Sequence, residues 1–348
     1  SRGLGDVYKR QGIYIMEEKQ HFKILCVDGG GIKGLYSAQV LAEIEKAHNV
    51  CLSDYFDLIC GTSTGGIIAL GISARIPMQK IVGFYQDCGP KIFRSNWKSL
   101  GALGNVILGV RQALLRSKYS QKALKSALIS VFGNKTISES KNLLCIPAYN
   151  LTDGSPRIFK RDYGCLNQDN DKTYVDVALA TSAAPTYLPI HNVNKTNYID
   201  GGVYANNPIL VGLMEYLFKW ANKGMFDGVD ILSISSCDKN YGWSPRKKRL
   251  SFFKWRETLF DCYSHGQEKN EMVFLEKLSK SGALNFDLNI VRIENEKLSG
   301  NQEQIISMDN ASSRALDILM SKGKSTGACN KDRDEVKAFF KTKKIINL

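Results

Sequence analysis

Hydrophobic positions along the chain fall into short unbroken runs separated by stretches with helical spacing. Phe22 to Val27, Phe56 to Cys60, Asn142 to Asn150 and Val229 to Ser235 are compact apolar runs, which read as buried strands. Between them, Leu35, Ala38, Leu41 and Ala42 recur at helical intervals up to His48. Further helices are predicted from Gly66 onward, over Lys80–Asp87 with Pro90 as a stop, over Ala123–Phe132, over Val175–Ala184 ahead of Pro185, and from Pro208 to Trp220. Ile158–Lys160 follows the Asp153-Gly154 turn and predicts a hairpin with 142–150. Asn197–Ile199 is a short strand that delivers Asp200. Past residue 240, a helix is expected over Gln267–Ser279, an alternating strand over Phe286–Ile293, and helices over Arg314–Met320 and Asp334–Phe340. Strands that alternate with helices predict an α/β fold with a largely parallel central sheet.

Composition narrows this only in part. The 348 residues suffice for one large domain or two ordinary ones, and 43% are apolar, as in a folded globular chain. No apolar run reaches the roughly 18–20 residues that span a bilayer. The net charge of +13 changes the picture. It suits an anionic partner: nucleic acid, an anionic membrane surface or a phosphorylated ligand. The plainer alternative is a basic protein without such a partner. Nine cysteines, odd in number and without a C-x-x-C pair, fit reduced thiols in a cytosolic protein. Residues 1–15 lack the pattern of a secretory signal, and Met16 is the expected natural start, with 1–15 an assembly artefact. A catalytic domain over 16–240 and an extension over 241–348, closing that domain or regulating it, are expected.

Two glycine-rich turns carry the candidate chemistry. Gly61-Thr62-Ser63-Thr64-Gly65 joins a strand to a helix. In so tight a turn, side chains two residues either side of the serine would collide, hence Gly61 and Gly65. The serine oxygen then stands clear, and amides at the helix start can stabilise an oxyanion. Upstream, Asp28-Gly29-Gly30-Gly31-Ile32-Lys33-Gly34 also joins a strand to a helix. Three readings compete. Gly29, Gly31 and Gly34 satisfy a dinucleotide fingerprint, but Asp54 follows no convincing strand that would supply its acidic residue. A P-loop fails because Lys33 is followed by Gly34. The third is an oxyanion hole serving Ser63; a tight turn without chemistry is the remaining alternative.

A serine nucleophile needs a base. Asp200 ends a strand and is followed by Gly201-Gly202, which makes it the prime candidate. An ordinary carboxyl near 3.9 is a weak base for serine, so burial would have to raise it. A Ser63, Asp200, His265 triad has a workable chain order, but His265 falls in a helical stretch. His191 precedes Asp200, and His21 and His48 flank early elements. Residues 94–118 mix basic side chains with apolar ones among glycines, which suits a lid or a membrane-touching element, or an irregular surface helix pair.

Together, Asp28-Gly-Gly-Gly-Ile-Lys33-Gly34, Gly61-Thr-Ser63-Thr-Gly65 and Asp200-Gly-Gly202 resemble the patatin-like phospholipase family. Thr181-Ser182-Ala183-Ala184-Pro185 and the run before the elbow agree, and the likeness covers about residues 22–240. Lys33 stands where the family usually has arginine, which keeps the charge and loses the fork. The resemblance implies a three-layer α/β/α sandwich and a Ser63–Asp200 dyad without histidine or metal. It also implies an oxyanion hole of Gly29, Gly30 and Gly31 amides, hydrolysis of lipid acyl esters, and no cofactor. A narrower resemblance is to bacterial effectors of cyclic-oligonucleotide anti-phage signalling. That implies a cytoplasmic enzyme acting peripherally on the inner membrane, with phospholipid as substrate. Its activator would be a cyclic dinucleotide from a partner synthase; homo-oligomer assembly on activation fits a switchable lipase, and no nucleic-acid polymer is expected. Arg246, Lys247, Lys248 and Arg249 with Trp243 and Trp255 offer charge and stacking surfaces for such a nucleotide, or a solvated membrane-facing patch. The alternatives are a constitutive acyl hydrolase and a non-catalytic lipid- or nucleotide-binding homologue.

Overall fold

The pleat of the first strand sets the layers. In β1 (His21–Val27), Leu25 and Val27 point to one side while Phe22, Ile24 and Cys26 point to the other, and all are buried. A strand apolar on both faces demands cover on both. The structure is a computed structural model that describes residues 20–94, 117–164, 166–221, 223–239 and 252–348. The side chains of residues 252–258, 260 and 261 are outside that description, as is most of the 94–118 segment.

In chain order, β1 is followed by α1 (Gly34–His48), β2 (Leu58–Gly61), α2 (Thr64–Ser73), α3 (Met78–Ile92) and α4 (Gln121–Phe132). Then come β3 (Leu143–Asn150), β4 (Ser155–Lys160), α5 (Tyr174–Thr181), β5 (His191–Val193), β6 (Thr196–Asp200), α6 (Gly202–Ala205), α7 (Ile209–Lys219) and β7 (Gly228–Ile234). The last third holds α8 (Phe252–Lys280), β8 (Asp287–Ile293), α9 (Gly300–Ile305), α10 (Ser313–Asn330) and α11 (Asp334–Ala338). The sheet runs β5-β6-β3-β2-β1-β7-β8, with β4 also on β3. The pairs from β3 through β2, β1 and β7 to β8 are parallel. β4, β5 and β6 are antiparallel additions at the β3 end. One apolar layer gathers α1 to α5 and α10 against Leu25, Val27, Leu232 and Ile234; the other gathers α7 and part of α8 against Phe22, Ile24 and Ile231. This is a mixed, mostly parallel α/β/α sandwich.

Three expectations shift. The helix after Pro77 does not stop before Pro90 but runs to Ile92. Pro90 sits in its last turn, where little of the helix is left to lose. The helix expected over 267–279 is the second half of the 29-residue α8. The one expected over 314–320 is the start of an 18-residue α10, which packs on α1 because Gly323 and Gly327 bring the two backbones close.

Residues 339–346 are tied back to the first strands by Lys23, whose ammonium donates to Phe339 O and Thr342, and by the Asp57 carboxylate. Asp57 accepts from the Lys23 amide at 2.9 Å and from the Ile345 and Ile346 amides at 2.7 and 2.8 Å. Removing it strands buried donors, each costing about 1–3 kcal/mol. Asp57→Ala is therefore expected to lower unfolding free energy by about 3 kcal/mol, read from chemical denaturation; a change below about 0.5 kcal/mol would refute the tie.

Candidate active site

Between Gly61 at the end of β2 and Thr64 at the start of α2 the chain has two residues in which to turn. Ser63 absorbs the strain with φ 56° and ψ −121°, a left-handed conformation rare outside glycine. A side chain on Gly65 would collide with the Val27 carbonyl, and one on Gly61 with the Gly65 carbonyl. The turn is closed by Gly65 N–H to Thr62 O at 2.8 Å and by the Thr62 hydroxyl to Ala205 O at 2.6 Å. The Ser63 N–H donates to Thr181 Oγ1 at 2.9 Å, and that hydroxyl donates to Pro147 O at 2.5 Å.

Strand register brings Asp200 to this turn. Cys145 of β3 pairs with Cys60 of β2 on one edge and Lys160 of β4 on the other. Three residues on, Ala148 pairs with Arg157 of β4 and Asp200 of β6. A strand has two edges, so β6 takes the edge that β2 vacates where it turns into Ser63. The Asp200 amide donates to Ala183 O at 3.1 Å, and the Gly201 amide to Thr181 O at 3.3 Å. Thr181 thus holds Ser63 through its hydroxyl and Gly201 through its carbonyl.

Asp200 is 1% exposed. Burial pushes its carboxyl up to about 7, against the pull of the Ser63 hydroxyl and the Gly202 amide. Oδ1 accepts from the Gly202 N–H at 2.7 Å. Oδ2 is buried and accepts no well-formed hydrogen bond from the described residues in this resting geometry. The Ser63 hydroxyl is the side-chain group that acts on the carboxyl. Such contacts commonly tighten only when substrate is bound.

The glycine loop lies beside Ser63: a Cβ on Gly29 would be 3.3 Å from the Ser63 Cβ. The Gly29 N–H donates to Asn206 O at 3.0 Å and the Ile32 N–H to Met308 O at 2.8 Å. The Gly30 and Gly31 amides have no partner among the described residues. Gly31 has φ +61°, and a side chain there would strike the Met308 carbonyl. Of the three amides expected to serve an oxyanion, Gly29's is occupied by Asn206 O in this structure. Lys33 does not enter the Ser63 cleft. Its ammonium donates to Ser236 Oγ at 3.1 Å and lies 3.5 Å from Asp238, in a second, polar cavity behind the loop.

Gly31 and Ser63 open into an apolar cleft that encloses about 580 Å³, open mouth included. Ile67, Phe84, Ile92, Phe93, Leu124 and Leu188 line it. No histidine is among its lining residues. His265 lines the polar cavity instead, and His191 lies 3.2 Å from Asp176. Asp54, the acidic residue a dinucleotide fingerprint would need, pairs with Arg75. Among the described residues no cluster of His, Cys, Asp or Glu is arranged to hold a metal ion. Trp243, Arg246, Lys247, Lys248 and Arg249 lie outside the described residues, as does the side chain of Trp255.

Two residues at this site carry no signal of their own in the sequence. Thr181 stands in the stretch that resembles the family but has no chemical mark. Arg292, on β8, grips Asp28 with both arms: Nη1 to Oδ1 at 3.0 Å and Nη2 to Oδ2 at 2.5 Å. It lies 264 residues from its partner, which hides the pair from any local reading.

A strained serine on a strand-to-helix turn, a buried carboxyl and an unpartnered Gly31 amide beside an apolar cleft are the groups that a serine acyl hydrolase would use. The patatin-like phospholipase profile matches residues 25–213. A cGAMP-activated phospholipase of Pseudomonas aeruginosa is 30% identical over 87% of this chain and 86% of its own length. One of Escherichia coli is 30% identical over 88% of this chain and 89% of its own. The Arabidopsis thaliana patatin-like protein 2 is 30% identical over 86% of this chain and 81% of its own. The chain belongs to the patatin-like phospholipase family and is a hydrolase of that class.

The geometry leads to two testable outcomes. Asp200 holds its proton more tightly folded than unfolded, so its contribution to stability is full below about pH 4 and is lost as pH rises toward 7. Asp200→Asn should flatten the fall in stability across that window; denaturation curves at several pH values would show an unchanged slope if Asp200 were not shifted. Thr181→Val, which leaves the Ser63 amide unpaired, is expected to lower kcat about 10-fold or more with KM little changed. An unaltered kcat would remove Thr181 from the site.

Proposed function

We propose that the chain hydrolyses acyl esters of membrane phospholipids with Ser63 as nucleophile and Asp200 as base. The observation that carries this is the buried, proton-avid Asp200 beside the strained Ser63 at the mouth of an apolar cleft. Ionised Asp200 takes the Ser63 proton as Ser63 Oγ attacks the ester carbonyl carbon. The carbonyl electrons move to oxygen, and the Gly30 and Gly31 amides receive that oxyanion. On collapse the C–O bond to the lipid alcohol breaks, and Asp200 returns its proton to the leaving oxygen. Water, deprotonated by Asp200, then attacks the acyl-enzyme, and the fatty acid leaves as Ser63 regains its proton. A carboxyl poised near 7 accepts and returns a proton at neutral pH far more readily than one near 4. Each oxyanion donor in such a site is worth about 2.7–4 kcal/mol.

The cleft suits an acyl chain, and the +13 charge suits an anionic membrane face. No helix among the described residues is long and apolar enough to cross a membrane. Action from the cytoplasmic side as a peripheral enzyme is therefore the reading adopted. Three relatives are named cGAMP-activated phospholipases, which supports a cyclic dinucleotide as activator and a role in anti-phage defence.

The test is fatty-acid release from mixed phospholipid vesicles, alone and with a panel of cyclic dinucleotides. Ser63→Ala and Asp200→Ala are each expected to cut release at least about 10³-fold in protein that stays folded. A folded, active Asp200→Ala would remove the dyad. Release that needs one nucleotide supports gating; equal release without any leaves a constitutive acyl hydrolase.

A further inference from the structure

We propose that Arg292 is a positioning residue for the oxyanion loop: its guanidinium fork orients Asp28 and thereby the Gly30 and Gly31 amides. The inference rests on the reading of that loop as the oxyanion hole. Asp28 is the residue from which the loop departs. Its amide is fixed to the sheet by a 3.1 Å bond to Ile234 O, and among the described residues its carboxylate is held by Arg292. Arg292 is itself immobilised. Its side chain is 8% exposed, Nη1 also donates to Ser233 Oγ at 2.7 Å, and Nη2 donates to Glu268 of α8 at 2.8 Å. The base of the loop is therefore held at both ends of one residue. A few residues on, the Met308 carbonyl holds Ile32. The unpartnered Gly30 and Gly31 amides lie between these two anchors, with Gly29 tied to Asn206 on the way, and both anchors come from the last third of the chain.

A buried ion pair is weak as a source of stability, because desolvation consumes most of the attraction. Its use here is geometric. Two parallel N–H···O contacts fix the plane and direction of the Asp28 carboxylate, which a single charge cannot do. Displacing a catalytic group by about 1 Å costs on the order of 10²-fold in rate.

The experiment compares Arg292→Lys and the paired variant Asp28→Asn/Arg292→Met with the native chain, using p-nitrophenyl butyrate with cGAMP present. Arg292→Lys keeps the charge and loses the fork. It is expected to lower kcat about 10–100-fold with KM within about twofold. The paired variant removes both buried charges, so Tm should recover while kcat stays low. Return of Tm and kcat together would mean a structural role only and overturns the proposal, as does Arg292→Lys with kcat within twofold of native. Should Arg292→Lys fail to fold, the paired variant decides by the same criterion. Ser63→Ala is measured alongside: if it still turns over substrate, the underlying site reading fails, whatever Arg292 does.

Discussion

Gly65 passes so close to the Val27 carbonyl that no side chain fits between them, and the rest of the site is built around this crossing. It forces β2 to turn into α2 within two residues and leaves Ser63 in a conformation that costs about 1–3 kcal/mol. The surroundings over-determine it. Val27 comes from β1, Ala205 from the short helix after Asp200, Thr181 from the end of α5, and Pro147 from β3. Four segments distant in sequence therefore agree on the position of one serine. The parallel core of the sheet supplies the rigid ends from which they reach it.

The buried charges divide into two kinds. Asp200 has no cation beside it among the described residues; burial lifts it to about 7 and leaves a carboxyl able to exchange protons. Asp28 is also pushed up by burial, but it is gripped by Arg292 on both oxygens, the geometry of an ionised pair. Glu271, near the same arginine, is raised to about 8 by burial and by its acidic neighbours. Two buried carboxyls, Asp28 and Glu268, share the Arg292 guanidinium. The contrast is one of position. Asp200 sits at the end of β6 against the strands that hold the serine turn, and the Asp28 group packs against Arg292 of β8 and, through it, Glu268 of α8.

Much of this was legible in the sequence. The apolar runs located the central parallel strands to within two residues, because strands buried on both faces leave a continuous hydrophobic mark; β5 was not anticipated, and β4 begins three residues before the expected start. Gly61, Gly65 and the Gly29–Gly31 run were readable because close backbone approach admits only glycine. Long-range partners were not. Nothing local marks Thr181 as the acceptor for the Ser63 amide, or Asn206 as the group that occupies the Gly29 amide. Arg292 sits in an ordinary alternating strand, and only the pairing of β8 with β7 brings it beneath Asp28. Helix ends were misjudged: Pro90 is tolerated in a last turn, and α10 continues through a polar stretch because Gly323 and Gly327 pack it on α1.

The chain emerges from the ribosome N-terminus first, and the anchors of the glycine loop lie on opposite sides of that timetable. When residue 240 has been made, the serine turn, the base and the loop itself already exist. Arg292 and Met308, which tie the loop down, do not. The final sheet strand and the segment after it must add to the edge before Asp28 and Ile32 acquire their partners. The frame of the loop is thus made well after the reacting groups, and a product terminated before Arg292 carries those groups without the contacts that align them.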